Sequence, residues 1–341
     1  MLLTRRTALT LSAAAALTLA GCGTAEETAD GSAAGGSAVG GSAGGAADGA
    51  FPATLTTEFG EVTIEDAPTR VVALGWGDAE IALALGVQPV GASDWLAFGG
   101  DGQGPWAQGM YDEAPTIIET MEPSFEAIAA LEPDLILDVR GSGDADRHAR
   151  LEEIATTVGV APGGTSWLTT LEDHVALISG ALGVPEKGQQ LLEQVESTFA
   201  EIAGAHHEWE GRTVSAAART SEGWGAYIAG GGRLSTLARF GFVQNPAVAA
   251  LPTSGSGFSV DISSEELDVL EADLIVAFPI YLEPTVITDD PQWQTLETVQ
   301  EGRAVVLDGD ISSAFSAGTP LALQFAAEKL TPLFEDALPA E

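Results

Sequence analysis

The chain has 341 residues, 45% of them hydrophobic, which is enough apolar material for two modest cores. Its 13 basic side chains stand against 50 acidic ones, a formal net charge of −37. Phosphate recognition needs clustered Lys and Arg, so the composition argues against nucleic acid as a partner and against a basic patch for anionic lipid.

The first 22 residues read as an address and not as part of the fold. Arg5 and Arg6 make a positive start, and residues 8–20 form an apolar run too short to span a bilayer. Leu19-Ala20-Gly21-Cys22 resembles the bacterial lipobox, in which the cysteine is lipidated and becomes the mature N-terminus. Cys22 is the only cysteine, which excludes an internal disulfide and a Cys-ligated metal site. Thr4-Arg5-Arg6-Thr7 also resembles a twin-arginine signal, except that Ala8 stands where that pattern usually has Phe, so the export route stays open. Cleavage removes two of the 13 basic residues and no acids, leaving 11 against 50, a net charge of −39. Residues 23–50 are Gly, Ala, Ser, Thr, Asp and Glu around a single Val and cannot bury enough surface to fold, so they are expected to form a disordered tether. A coil of that length has a root-mean-square span of about 30 Å. Gly40-Gly41-Ser42-Ala43-Gly44 matches a hydrolase G-x-S-x-G only in letters, because a nucleophile elbow must join a strand to a helix.

The folded body is expected from Phe51. Residues 54–64 alternate about Phe59-Gly60 and predict a β-hairpin. Residues 68–74 predict a strand, residues 78–85 a helix closed by Gly86, and residues 89–92 the next strand, a βαβ unit. No G-x-G-x-x-G follows any strand and no G-K-S/T occurs, so dinucleotide and nucleoside triphosphate binding have no support. A Gly-rich loop over residues 98–111 leads to a stretch that occurs twice.

That stretch reads P-S-F-E-A-I-A-A-L-E-P-D-L-I-L-D at 123–138 and I-S-S-E-E-L-D-V-L-E-A-D-L-I-V-A at 262–277. Each copy opens on a Ser able to cap a helix (Ser124, Ser263), has a Glu two residues later (Glu126, Glu265), and passes through an acidic break into an apolar strand. The first copy's strand is expected to end at Arg140. An offset of 139 residues is too long for a solenoid repeat and suits two similar lobes. A helix is expected over 146–158, then two more over 168–182 and 185–207. The last opens on Pro185 and carries Leu191, Leu192, Val195 and Phe199 at helical spacing. At 1.5 Å per residue it spans about 34 Å, the reach of a rigid connector between lobes. Beyond it come strands at 213–218 and 226–229, a helix at 234–240, the second copy, a helix at 292–299, a strand at 304–307 and a closing helix at 321–334. The expected divisions are therefore 1–22 leader, 23–50 tether, 51–184 first lobe, 185–210 connector and 211–341 second lobe.

Together these residues resemble the lipoprotein substrate-binding components of ABC importers for iron-siderophore complexes, a class with cobalamin- and haem-binding relatives. The likeness is carried by Ala67-Pro68-Thr69-Arg70-Val71-Val72-Ala73-Leu74-Gly75-Trp76, by Ala84-Leu85-Gly86-Val87-Gln88-Pro89-Val90-Gly91, and by residues 126–137 and 265–276. Residues 293–308, with Glu301-Gly302-Arg303-Ala304-Val305, complete it. The resemblance implies an α/β fold of two Rossmann-like lobes with parallel-rich sheets, joined by a single long rigid helix, with the ligand in the cleft between them. It implies a monomer without catalytic activity or cofactor, held at the extracytoplasmic face of the cell membrane by lipid on Cys22. Such a protein passes a ferric siderophore to a permease dimer driven by a cytoplasmic ATPase, and a Glu on each lobe, here Glu126 and Glu265, docks on the permease. A Glu in a helix's first turn is also favoured by the helix dipole alone.

In open parallel sheets ligands bind beyond the carboxyl ends of the strands. In the first lobe the residues so placed are Trp76, Trp95 and Arg140, with Trp106 and Trp167 nearby. In the second they are Arg219, Trp224, Tyr227, Phe278 and Tyr281, with Arg233 near the same edge. Aromatic faces suit a bulky organic chelate, and Arg donates paired hydrogen bonds to carboxylate, catecholate or hydroxamate oxygens. Core packing for each Trp and ion pairing for each Arg are the plainer alternatives. Haem or cobalamin in the same fold is the alternative ligand. A free-metal site is not expected, since His148 and His174 fall in helices and His206 and His207 end the connector. An extracytoplasmic enzyme is the alternative from another class, but no Ser-His-Asp order, zinc motif or phosphate loop falls at a strand end.

Overall fold

The computed structural model describes residues 50–339 except 165–166 and 255–256; the expected leader, Cys22 and nearly all of the expected tether lie outside the described residues. The hairpin of β1 (Ala53–Thr57) and β2 (Gly60–Ile64) pairs Ala53 with Ile64 and turns at Gly60, whose φ of +113° only glycine adopts cheaply. Then follow β3 (Val71–Ala73), α1 (Asp78–Ala84), β4 (Gly91–Ser93), β5 (Thr116–Ile118), α2 (Phe125–Ala130), β6 (Leu135–Leu137), α3 (Ala145–Glu152) and β7 (Thr156–Val158). The five strands β5-β4-β3-β6-β7 form an all-parallel sheet. Its central strands β3 and β6 are wholly apolar and buried because both faces are covered. Ala73, Leu135 and Leu137 meet α1 and α4 (Leu171–Ala181) on one face, while Val72, Ile136 and Ile128 of α2 pack on the other.

The expected helix over 146–158 is corrected: it stops at Glu152, and residues 156–158 are the edge strand β7. Thr156, Thr157 and Val158 are β-branched, and pairing of Thr156 with Leu135 outweighs continuation of the helix.

The connector α5 (Pro185–Ala205) starts with Pro at its first position. Leu191 and Leu192 pack against the first lobe's core, whereas Val195 and Phe199 lie inside the second lobe's, so one helix of about 32 Å is anchored in both. Each fully buried side chain of that size contributes about 1.5–3 kcal/mol.

The second lobe holds β8 (Thr213–Arg219), β9 (Trp224–Tyr227), α6 (Gly232–Arg239), β10 (Val243–Gln244), α7 (Pro246–Ala249), β11 (Ser259–Ile262), β12 (Leu274–Pro279), α8 (Thr285–Thr288), α9 (Glu297–Gln300), β13 (Ala304–Val306), α10 (Gly309–Ala317) and α11 (Pro320–Ala337). The strands run β11-β9-β8-β12-β13, with β10 also beside β8. Here the β8-β9 and β9-β11 pairings are antiparallel, and the other pairings are parallel. Phe315 of α10 and Phe334 of α11 cover one face. On the other lie Val248, Ile287 and Trp293.

The repeat is visible as a pair of carboxylate staples at the same offset. Asp134 accepts hydrogen bonds from the amides of Thr69 (2.8 Å) and Arg70 (2.9 Å) and from the Thr69 hydroxyl (2.7 Å). Asp273 accepts from the amide and hydroxyl of Thr213, both at 2.7 Å. Each ties the start of its own strand to the start of the strand beside it. The helical halves of the two copies differ. Ser124 accepts from the amide three residues on (3.1 Å) and starts an α-helix. Ser263 accepts from the amide two residues on (3.3 Å), and residues Ser264–Leu270 form tight 3-10 turns interrupted at Glu266, not the expected α-helix. The expected helix over 292–299 is likewise broken, because the Glu271 carboxylate caps a new start at the amides of Glu297 (2.6 Å) and Thr298 (3.0 Å). Helix α10 was not expected, since its Gly and three Ser are weak helix formers; burial of Phe315 holds it.

Candidate functional site

The first lobe's part of the site is built around one buried carboxylate. Asp78, at the start of α1, accepts from the amides of Gly75 (3.2 Å), Val139 (2.9 Å) and Arg140 (3.3 Å), and lies 2.6 Å from His174 Nε2. It thereby joins the loops leaving β3 and β6, the two that carry Trp76 and Arg140. The Trp76 amide also donates to the Arg140 carbonyl at 3.0 Å. A Cβ at position 75 would collide with the Asp78 carboxylate, which explains glycine there. Burial pushes the His174 pKa below the ordinary value, although the Asp78 hydrogen bond opposes it.

Trp76 is the middle ring of a stack: Trp95 lies 4.2 Å away with planes 3° apart, and Trp167 lies 4.9 Å away on a 19° tilt. The Trp76 indole nitrogen is buried without a partner among the described residues. Arg140 donates from Nε to the Trp167 carbonyl (3.3 Å) and from Nη1 to the Ala317 carbonyl in the other lobe (2.6 Å). Burial, and then the charge of Arg233, lowers its pKa to about 10 against the pull of Asp78, so it is still a cation at neutral pH.

Across the cleft, Tyr227 and Phe278 stack at 5.7 Å, and the Arg233 guanidinium carbon lies 4.3 Å above the Tyr227 ring and 5.1 Å above Phe278. Burial lowers the Arg233 pKa from its ordinary value, and its Nε has no partner among the described residues. Among the described residues neither Arg140 nor Arg233 forms an ion pair. Arg147 and Arg239, by contrast, are held by Asp138 and by Glu172 with Glu196.

Two connected cavities occupy the cleft. One, of about 580 Å³, is lined by Trp76, Arg140, Trp167, Tyr227 and Arg233 among others. The second, of about 790 Å³, shares Trp76, Tyr227, Arg233 and Phe258 with it and adds Trp95, Phe278 and Tyr281. Their size is that of sites for bulky small molecules.

Arg219 and Trp224 line neither of these two cavities, although Trp224 lines another of about 430 Å³ together with Tyr227 and Ile280. Along β8 and β9 side chains alternate between faces. Ala218, Tyr227 and Phe278 share the face toward α10 and α11, so Arg219 and its cross-strand partner Trp224 point to the opposite one. There Trp224 is 3% exposed, stacks on Trp293 at 5.5 Å and donates to Asp290 (3.2 Å), and Arg219 turns back on the Thr220 carbonyl. Trp106 is also engaged elsewhere, at a joint between the lobes. Its indole donates to buried Glu80 of α1 at 2.8 Å, and Glu80 also accepts from the Thr319 hydroxyl and from the Ala322 amide (3.3 Å) at the start of α11. Burial raises the Glu80 pKa to about 7, against the three hydrogen bonds that lower it. Asp78, His174 and Glu80 were not singled out from the sequence; an acid beside Ala and Ile in a short helix carries no local sign of burial.

Glu126 and Glu265 are exposed, each in the first turn of its helical segment. Among the described residues no group of three or more His, Cys, Asp or Glu could hold a metal ion, and no helix is long and apolar enough to cross a membrane.

A sequence profile for the family described as periplasmic binding protein matches residues 71–311. The Fe(3+) dicitrate-binding periplasmic protein FecB of Escherichia coli (strain K12) is 27% identical over 270 residues, covering 76% of this chain and 84% of FecB. The Fe(3+)-citrate-binding protein YfmC of Bacillus subtilis (strain 168) is 22% identical over 269 residues, 76% of this chain and 79% of YfmC. Among solved structures, Streptococcus pneumoniae TIGR4 PiaA in complex with ferrichrome superposes with a TM-score of 0.70 at 25% identity, over 83% of this chain and 98% of PiaA.

Proposed function

The chain belongs to the periplasmic binding protein family, and we propose that within it the protein is the extracytoplasmic substrate-binding component of an ABC importer, capturing a ferric siderophore between its lobes. The observation that carries this reading is the pair of guanidiniums that lack ion-pair partners among the described residues, Arg140 and Arg233, lining one cavity beside the Trp76 stack. A chain with a large excess of negative charge needs focused positive charge to hold an anionic chelate. Guanidinium forks suit chelating oxygens, and the tryptophan and tyrosine faces suit an organic scaffold. Capture is a binding step. The relatives named above are binding proteins, and the cleft supplies positioning and charge.

In this reading Cys22 carries the lipid that holds the protein at the membrane, residues 23–50 are the tether, and 51–184 and 211–341 are the lobes on either side of a connector at 185–210. Exposed Glu126 and Glu265, one per lobe, meet the two subunits of a permease coupled to a cytoplasmic ATPase. The test is titration of the full chain with ferric citrate and ferric hydroxamate chelates, following quenching of tryptophan fluorescence, together with iron uptake by cells. Glu126→Ala with Glu265→Ala is expected to keep affinity within about twofold and to abolish uptake. Absence of saturable quenching by every ferric chelate would remove the capture role, and normal uptake by the double variant would remove docking.

A further inference from the structure

The two cavities of the cleft differ in charge and in polarity. The 580 Å³ part holds Arg140 and Arg233, while its carboxylates Glu172 and Glu196 are taken up by Arg239. Among the described residues the 790 Å³ part is lined by no cation except Arg233 at the shared boundary, and its rim carries Asp94, Glu119, Glu283 and Asp308. An anionic group is therefore favoured in the first part and repelled in the second.

The wider part is also where the surface is most apolar. Among the described residues five large hydrophobic side chains are exposed, and three of them, Ile117 (44%), Met121 (60%) and Tyr281 (88%), line this one cavity. They come from both lobes, Ile117 and Met121 from β5 and the loop after it and Tyr281 from the loop after β12. Tyr281 further holds a left-handed backbone at φ +55°, costly for a bulky residue, and so presents an almost fully exposed ring at the cleft edge. Such exposure costs free energy unless something apolar covers it in the working state.

We propose that the chelate is two-ended: a compact anionic iron-binding end lies between Arg140 and Arg233, and an uncharged apolar arm is gripped between Met121 of the first lobe and Tyr281 of the second. This rests on the capture role proposed above. The first part is large enough for a compact chelate, which leaves the second for the arm. Acids on the rim exclude an arm that ends in a carboxylate, so the arm, and not the iron centre, sets selectivity among anionic chelates.

The experiment compares three probes on the full chain by fluorescence titration: ferric dicitrate, a ferric citrate chelate bearing an octanoyl arm, and the same arm ending in a carboxylate. The wild type is expected to bind the octanoyl chelate at least about tenfold more tightly than ferric dicitrate, and the carboxylate-ended arm to lose that advantage. Tyr281→Ala and Met121→Ser should each remove about threefold or more of the preference, read as the ratio of octanoyl-chelate to ferric dicitrate affinity within each variant. Both side chains are exposed, so neither change disturbs the core. Equal affinity of the wild type for ferric dicitrate and the octanoyl chelate overturns the proposal while the capture role stands. So does a preference that survives in both variants. Variants that keep the preference and lose only uptake assign the apolar lip to a protein partner and also overturn it. Failure of all three probes to bind also overturns it, and takes away the capture role itself if ferric hydroxamate chelates fail as well.

Discussion

The two lobes use one plan and arrive at unlike walls. In the first, a parallel sheet delivers Trp76 and Arg140 from neighbouring strand ends, and Asp78 locks both loops. In the second, the central strand β8 also ends in an arginine, yet Arg219 bonds to the carbonyl beside it and the cleft takes its charge from Arg233, on α6. The antiparallel pair of β8 and β9 brings Tyr227 to the cleft face and sends Trp224 to the core face. Position past a strand is thus not sufficient for a binding residue; the face of the sheet decides.

The largest expected effect breaks the symmetry at the interlobe joint, where the first lobe gives a carboxylate and the second only a hydroxyl and an amide. The Glu80 pKa is raised in the folded state, to about 7 from an ordinary value near 4.5. Its neutral form is therefore favoured by folding, and its contribution is full below about pH 4.5 and lost as pH rises through about 7. Measured by urea unfolding, the stability of wild type minus that of Glu80→Gln is expected to fall by on the order of 3 kcal/mol between about pH 5 and about pH 8. Taking the difference cancels the opposing titration of His174. A pH-independent difference would mean that Glu80 does not titrate in this window.

The second test sharpens the contrast between the arginines. Arg140→Ala should weaken an anionic ferric chelate by about 10- to 150-fold, or about 1.5–3 kcal/mol, and a neutral one much less. Arg219→Ala should change either affinity by less than about twofold. Titrations of both variants with both chelates check this, with thermal melts to verify folding; equal losses in the two variants would return Arg219 to the cleft.

The smallest effect separates the staples. Asp134→Ala removes three hydrogen bonds and Asp273→Ala two, and each should cost about 1–3 kcal/mol, the former more. Urea midpoints of the two variants decide the order.

Much of this was legible along the chain. The repeat at an offset of 139 marked the strands β6 and β12 and the helix before the first of them, and the apolar face of α5 marked the connector, because both are local periodicities. Trp76, Trp95, Arg140, Tyr227, Arg233, Phe278 and Tyr281 were placed near strand ends, and all of them line the cleft. Arg219 and Trp224 were indistinguishable from them by that criterion. Whether a residue lies past a strand is read from sequence, but which face of the sheet meets the other lobe is not.

The sequence by itself determined the α/β class, the parallel strand runs and the single long helix, since each depends on residues close together or on a simple spacing. Only the tertiary structure decided that Glu80 closes a joint with Thr319, 239 residues away, and that Arg140 reaches Ala317 of the other lobe. The same is true of the choice of Arg233 over Arg219. Those outcomes depend on how two sheets face one another, and the packing of α5 and α11 across both lobes sets that angle where no local pattern can.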